Sequence, residues 1–289
     1  METNKTPKAW YESLLVMDRR VIYALVMVVV AIPLFRPIAL PMRVSPEVTN
    51  LYDRIGTLKS GDAVVMSFDY SPSGAGDITP QVEAILKHIA TKEGVRVIAL
   101  SFWAEGPVIA DTTLDVYQAQ GKEYGVDYIN LGYCAGAESA IAKFAEDVTG
   151  AFPKDFKGMP TDSYPVMAGV KSAKDITLFI DFSAGSPGPR EWIRQVQNQY
   201  GKEIAVGASS NLTATLTPYY DAKQLIAILN GLRGAAEYES LTKQLGKGSA
   251  GMGSQTLGHL LIIVFLVLGN IGFFASKAKR RREGERKSE

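Results

Sequence analysis

The chain has 289 residues, 46% of them apolar, and its 31 Lys/Arg against 30 Asp/Glu leave a net charge of +1. Its single cysteine, Cys134, excludes an internal disulfide, so any folded domain must be held by an apolar core. Eleven of the Lys/Arg and six of the Asp/Glu fall in the first twenty and last thirteen residues; the remaining 20 basic and 24 acidic residues make the middle mildly acidic, which argues against nucleic acid as a partner.

In chain order, residues 1–20 read as a cytoplasmic segment ending in Arg19 and Arg20. The apolar stretch 21–42 follows, and ~20 such residues suffice to cross ~30 Å of hydrocarbon as a helix. It exceeds the 7–15-residue apolar core of a signal peptide, and no small-x-small site follows it, so an uncleaved first transmembrane helix is expected. Residues 43–245 read as an α/β domain. Ser45 and Pro46 suit an N-cap and a first helical position, with Val48, Leu51 and Ile55 on one face of a helix within 44–60. Apolar runs at 63–69, 95–103, 126–133, 176–182 and 203–208 predict five strands. Helices are expected from Thr79 to Gly94, over 107–124 and 136–149, through Tyr200, and at 221–231 and 234–245. A connection rich in Pro and Gly occupies 150–174.

Residues 246–255 read as a flexible glycine-rich linker and 256–276 as a second transmembrane helix, whose strongly polar members are His259 and Asn270. The tail 277–289 carries Lys277, Lys279, Arg280, Arg281, Arg282, Arg286 and Lys287. Basic residues flank membrane spans on the cytoplasmic side. Both termini are therefore expected inside the cell membrane and the central domain outside, with the lipid bilayer as one partner. Strands alternating with helices imply parallel crossovers. The expected fold is a three-layer α/β sandwich with a mostly parallel sheet of about five strands, flanked by two transmembrane helices.

In such sheets ligands sit beyond the carboxyl ends of the strands. That singles out the loops 69–78, 103–107, 133–137, 182–189 and 208–213. Within them Asp69, Ser71, Ser73, Asp77, Asp181, Ser183 and Ser186 are the candidate ligand-binding residues. If the first and fourth strands are neighbours, Asp69 and Asp181 approach each other and can bind a divalent cation or share a proton. Neither phosphate-binding glycine motif, GxGxxG or GxxxxGK[ST], follows the first strand. His88 falls on a helix away from these loops, so no Ser-His-Asp or Cys-His set is expected, and no catalytic residue, metal or cofactor is assigned. The segment Gly231–Glu239 combines small residues with charges. Arg233, Gly234, Glu237 and Tyr238, with Gly269 and Gly272 in the second span, are candidates for contact between subunits; close packing on the chain's own sheet is the alternative.

Two resemblances bear on function. Pro-Met-Arg-Val-Ser-Pro-Glu-Val (41–48), Val-Ile-Ala-Leu-Ser-Phe-Trp (97–103), Tyr-Gly-Val-Asp-Tyr-Ile-Asn-Leu-Gly-Tyr (124–133) and Gly-Leu-Arg-Gly-Ala-Ala-Glu-Tyr-Glu (231–239) resemble a family of uncharacterised prokaryotic two-span membrane proteins. That resemblance implies an architecture and no chemistry. Residues 61–111 and 176–190 are similar in outline to membrane-anchored serine peptidases of the signal-peptide-peptidase and ClpP class. Phe-Ser-Ala-Gly-Ser-Pro-Gly-Pro (182–189) lacks their paired glycines, and Trp103-Ala-Glu-Gly-Pro107 has no serine where the nucleophile would fall. The leading expectation is a non-enzymatic extracytoplasmic subunit that binds other membrane proteins or copies of itself. The alternatives are an unusual serine hydrolase and a small-solute sensing domain.

Overall fold

The computed structural model describes residues 18–38 and 41–285. The expected cytoplasmic segment up to residue 17, residues 39–40 of the first span, and Arg286 and Lys287 lie outside the described residues. The chain divides into two compact units, residues 39–249 and residues 1–38 with 250–289.

The larger unit is built on six parallel strands: β1 (Ala63–Asp69), β2 (Arg96–Ser101), β3 (Tyr128–Tyr133), β4 (Leu178–Ser183), β5 (Ile204–Ala208) and β6 (Ala227–Asn230). Their spatial order is β3-β2-β1-β4-β5-β6, the order of doubly wound dinucleotide-binding folds. All seven residues of β1 are buried, as a central strand covered on both faces requires. Alternation along the strands divides the core in two. Val64, Met66 and Phe68 face one cluster, packed by α2 (Pro46–Gly56), α3 (Ala75–Ala90), α4 (Gly106–Gln118) and α8 (Gly231–Thr242). Val65, Ile98 and Phe179 face the other, packed by α5 (Glu138–Glu146), the helical run Pro189–Tyr200 (α6), α7 (Ser210–Asp221) and the 150–174 connection.

The five expected strands are present, and the count is corrected to six. Residues 221–231 do not form a helix. The helix is α7, ending at Asp221, and Ala227–Asn230 is the edge strand, with Ala227, Ile228 and Leu229 buried. A strand of four residues carries too little periodicity to be separated from a helix.

The flexible linker expected over 246–255 is also corrected. Residues Lys247–Glu285 form one helix, α9. The buried Glu239 carboxylate accepts hydrogen bonds from the backbone N–H of Gly246 (2.9 Å), Gly248 (2.8 Å) and Ser249 (2.7 Å). A charged acceptor at a helix start satisfies otherwise orphaned donors and complements the helix dipole. Gly248 is there for close approach, because a Cβ at that position would fall 2.7 Å from the Ala235 Cβ.

In the smaller unit, α1 (Arg19–Phe35) contains 17 residues, so the helix expected over 21–42 is shorter and starts earlier. It packs against α9. The Ser254 hydroxyl bonds the Val30 carbonyl (2.8 Å), and Pro33 lies against Gly253. Most other apolar side chains of both helices face outward, among them Met27, Leu34, Phe35, Leu260, Ile262, Leu266 and Phe274. Among the described residues one helix, Lys247–Lys279, is long and apolar enough to cross a membrane.

Candidate functional site

The strand order reverses between β1 and β4, and the following helices α3 and α6 depart to opposite faces. Such a switch point opens a crevice at the carboxyl ends of the two strands. Parallel register sets Ser67 beside Asp181 and Asp69 beside Ser183. With side chains alternating along each strand, all four point to the α6 face. Asp69 is fully enclosed. Its carboxylate accepts from the Ser67 hydroxyl (2.5 Å), the Phe102 backbone N–H (2.7 Å) and the Trp192 indole N–H (3.4 Å).

Asp181 is equally buried, but among the described residues neither of its carboxyl oxygens has a hydrogen-bond partner. Its polar neighbour is Asp69. Two desolvated carboxyl groups cannot both ionise at such a site. Burial, then the Asp69 charge, raises the Asp181 pKa well above the usual carboxylate range; burial raises Asp69 to about 6 against its stabilising donors. Burial and the neighbouring Asp69 charge thus favour the protonated form of Asp181. Trp192 covers the pair within an aromatic cluster, with ring centroids 5.7 Å from Phe102, 5.9 Å from Phe144 and 5.6 Å from Phe179. The loop after β4 is tied across the crevice by the Trp103 indole N–H on the Pro187 carbonyl (2.9 Å). The arrangement is a buried pair of acids on neighbouring strands. Among the described residues no group of three His, Cys, Asp or Glu side chains is arranged to hold a metal ion.

Of the seven candidate ligand-binding residues, Asp69, Asp181 and Ser183 converge here. The other four do not. The Ser71 and Ser73 hydroxyls bond each other (2.8 Å) in the exposed turn after β1. Asp77 accepts from the Ser210 backbone N–H (3.2 Å) and hydroxyl (2.9 Å) at the start of α7. Ser186 reaches Glu191 (3.5 Å). Sequence reasoning missed Ser67 and Trp192. Ser67 was accessible in principle, being two positions before Asp69 and so on the same strand face.

His88 is remote from these loops. Its Nδ1 bonds the Tyr238 hydroxyl (2.8 Å), its ring stacks on Tyr52 at 4.6 Å, and burial lowers its pKa to about 4. Burial also raises the Cys134 thiol, which leaves it poorly nucleophilic at neutral pH.

The segment around Gly234 packs closely within the larger unit. Gly234 packs on its own sheet, and a Cβ there would lie 2.8 Å from the Leu229 carbonyl carbon. Tyr238 is fully buried. Glu237, 2% exposed, accepts from Ser45 N (2.9 Å), Ser45 Oγ (2.6 Å) and Arg233 Nε (2.7 Å). Arg233 alone of the four remains open to solvent, its side chain 61% exposed. In the smaller unit Gly269 is open and Gly272 is buried.

An accessible cavity lies elsewhere, at the carboxyl end of the edge strand β6. It measures about 190 Å³, between the start of α2 (Ser45, Glu47), α7 (Thr213, Thr217, Tyr220) and the start of α8 (Arg233, Gly234), with Ile228 and Asn230 from β6 and Glu237. In the sequence Ile228 and Asn230 read as helix, and Thr217 and Tyr220 fall in a stretch given no element, which hid the cavity.

The sequence matches no protein-family model and no curated relative. Among solved structures it overlaps a trehalose-6-phosphate synthase, OtsA, at 8% identity and a TM-score of 0.27, covering 83% of this chain and 47% of that one. The chain thus spans about half the length of that structure. An overlap of this quality carries no argument about fold or activity.

Proposed function

We propose that the chain is a membrane-tethered subunit of a larger membrane assembly, with α1 and α9 as paired spans, both termini cytoplasmic and the 43–245 domain outside. At 17 residues α1 is at the short end of spanning helices, and the outward apolar surface of both helices is compatible with lipid. Lys277, Lys279 and Arg281 beyond the α9 apolar stretch suit a cytoplasmic end near anionic headgroups.

One observation carries the assembly reading. Gln255, His259 and Asn270 are all exposed on α9, in or beside its apolar stretch. They are 4 and 11 residues apart, close to whole numbers of helical turns, and so share a face. Polar side chains facing hydrocarbon are costly and are normally met by a neighbouring helix. Among the described residues Asn270 bonds only the Leu266 carbonyl of its own helix (2.8 Å), which leaves its amide oxygen for such a neighbour. The test is mass photometry in mild detergent or nanodiscs made directly from the membrane. A multimeric or hetero-complex particle that dissociates in His259→Leu/Asn270→Leu is expected. A lone monomer in the wild type overturns the reading.

A further inference from the structure

The β6 cavity is lined by Glu47, Arg233 and Glu237, and Arg233 pairs with Glu237 and not with Glu47. Glu47 makes no hydrogen bond or ion pair among the described residues. The Tyr220 hydroxyl is close enough to feel the Glu47 charge. Arg233 is held by its Nε on Glu237, while its two terminal nitrogens have no partner among the described residues. Glu237 itself is satisfied by three donors and buried, so it fixes the guanidinium without closing it. A planar guanidinium anchored through one edge presents the other for a carboxylate.

The neutral groups follow the same division. Asn230 offers an amide N–H₂, its oxygen being taken by the Thr213 hydroxyl (3.2 Å). It precedes α8 without capping it by a side-chain bond, which leaves the first-turn N–H groups on the Arg233 side. Thr217 and Tyr220 supply hydroxyl oxygens on the α7 wall. The floor is Ile228 and the bare backbone of Gly234. At about 190 Å³ the space is below the ~300–1,000 Å³ of drug-sized sites.

We propose that this cavity binds a small zwitterion of the α-amino acid class. The ligand carboxylate meets Arg233 and Asn230, its ammonium meets Glu47 and the α7 hydroxyls, and a short apolar side chain lies on Ile228. An anion alone would leave Glu47 unpaired, and an amine alone would leave the terminal nitrogens of Arg233 without an acceptor. The site is independent of how the chain assembles in the membrane.

The test is isothermal titration of the full chain in mild detergent with glycine, alanine, serine, threonine, proline and valine, with acetate and methylamine as half-probes. At least one amino acid is expected to bind with Kd below about 10 mM, and each half-probe at least about tenfold more weakly. Arg233→Gln and Glu47→Gln should each weaken that binding about tenfold or more, while Asp53→Asn, outside the cavity, should not. Thermal melting confirms that each variant is folded. Three outcomes overturn the proposal: no amino acid binding below about 10 mM, a half-probe matching the best amino acid, or folded Arg233 and Glu47 variants that bind as the wild type does.

Discussion

The least ordinary residues of the larger unit are Asp69 and Asp181, two acids placed where a core would hold Val or Ile. Both carry raised pKa values, so the folded state holds protons that the unfolded chain, near 3.8, releases. The native state binds more protons over that interval, so this contribution stabilises at low pH and is lost as pH rises. The Asp69 part fades between about 4 and about 6, and the Asp181 part continues to fade above that. Asp181→Asn removes one titrating group and keeps an N–H donor toward Asp69. The variant should gain on the wild type by about 1.4 kcal/mol per pH unit above pH 4, read from denaturant unfolding in detergent at pH 5, 6 and 7. A difference that does not vary with pH would mean that Asp181 is ionised in the fold. The approach of these two acids was legible in the sequence as a conditional, given neighbouring strands. Their enclosure was not, because it depends on Trp192 and Phe102 arriving from distant segments.

Elements were legible where period and length agreed. β1 to β5 are buried runs bounded by turn residues, and α2 carries its start signal in Ser45-Pro46. Reading failed where tertiary contact overrode local preference. Glycines at 246, 248, 251 and 253 favour a loop, yet Gly248 continues a helix because Ala235 and Ala236 leave no room for a side chain. Glu239 is the electrostatic half of the same override. Glu239→Ala should orphan three backbone N–H groups and lower domain stability by about 3 kcal/mol, with hydrogen exchange at residues 246–249 accelerating first. Unchanged exchange there would show that the helix start holds without its carboxylate. The β6 cavity could not be read at all, since it requires α7, β6 and α8 in their observed places.

At the scale of the whole molecule, the proposed topology has a natural reporter in Cys134, the chain's only cysteine, half-exposed at the carboxyl end of β3. A membrane-impermeant maleimide, applied to intact cells at pH 8 to offset the raised thiol pKa, should label it. In a Cys134→Ser/Ser288→Cys chain labelling should wait for permeabilisation. The reverse pattern would place the α/β domain in the cytosol.

The strand order has a consequence for biogenesis. β1 is complete at residue 69, but its inner partner β4 begins at residue 178, so the middle of the sheet joins segments more than a hundred positions apart. Synthesis delivers β1, β2 and β3 first, as a half-sheet whose exposed margin is the apolar strand Ala63–Asp69 with its hydrogen-bonding groups unmet. Late-closing parallel pairs are slow to form and prone to stick to other chains while they wait. A nascent chain paused before residue 178 should therefore need a chaperone on that margin, and one released after β4 should not.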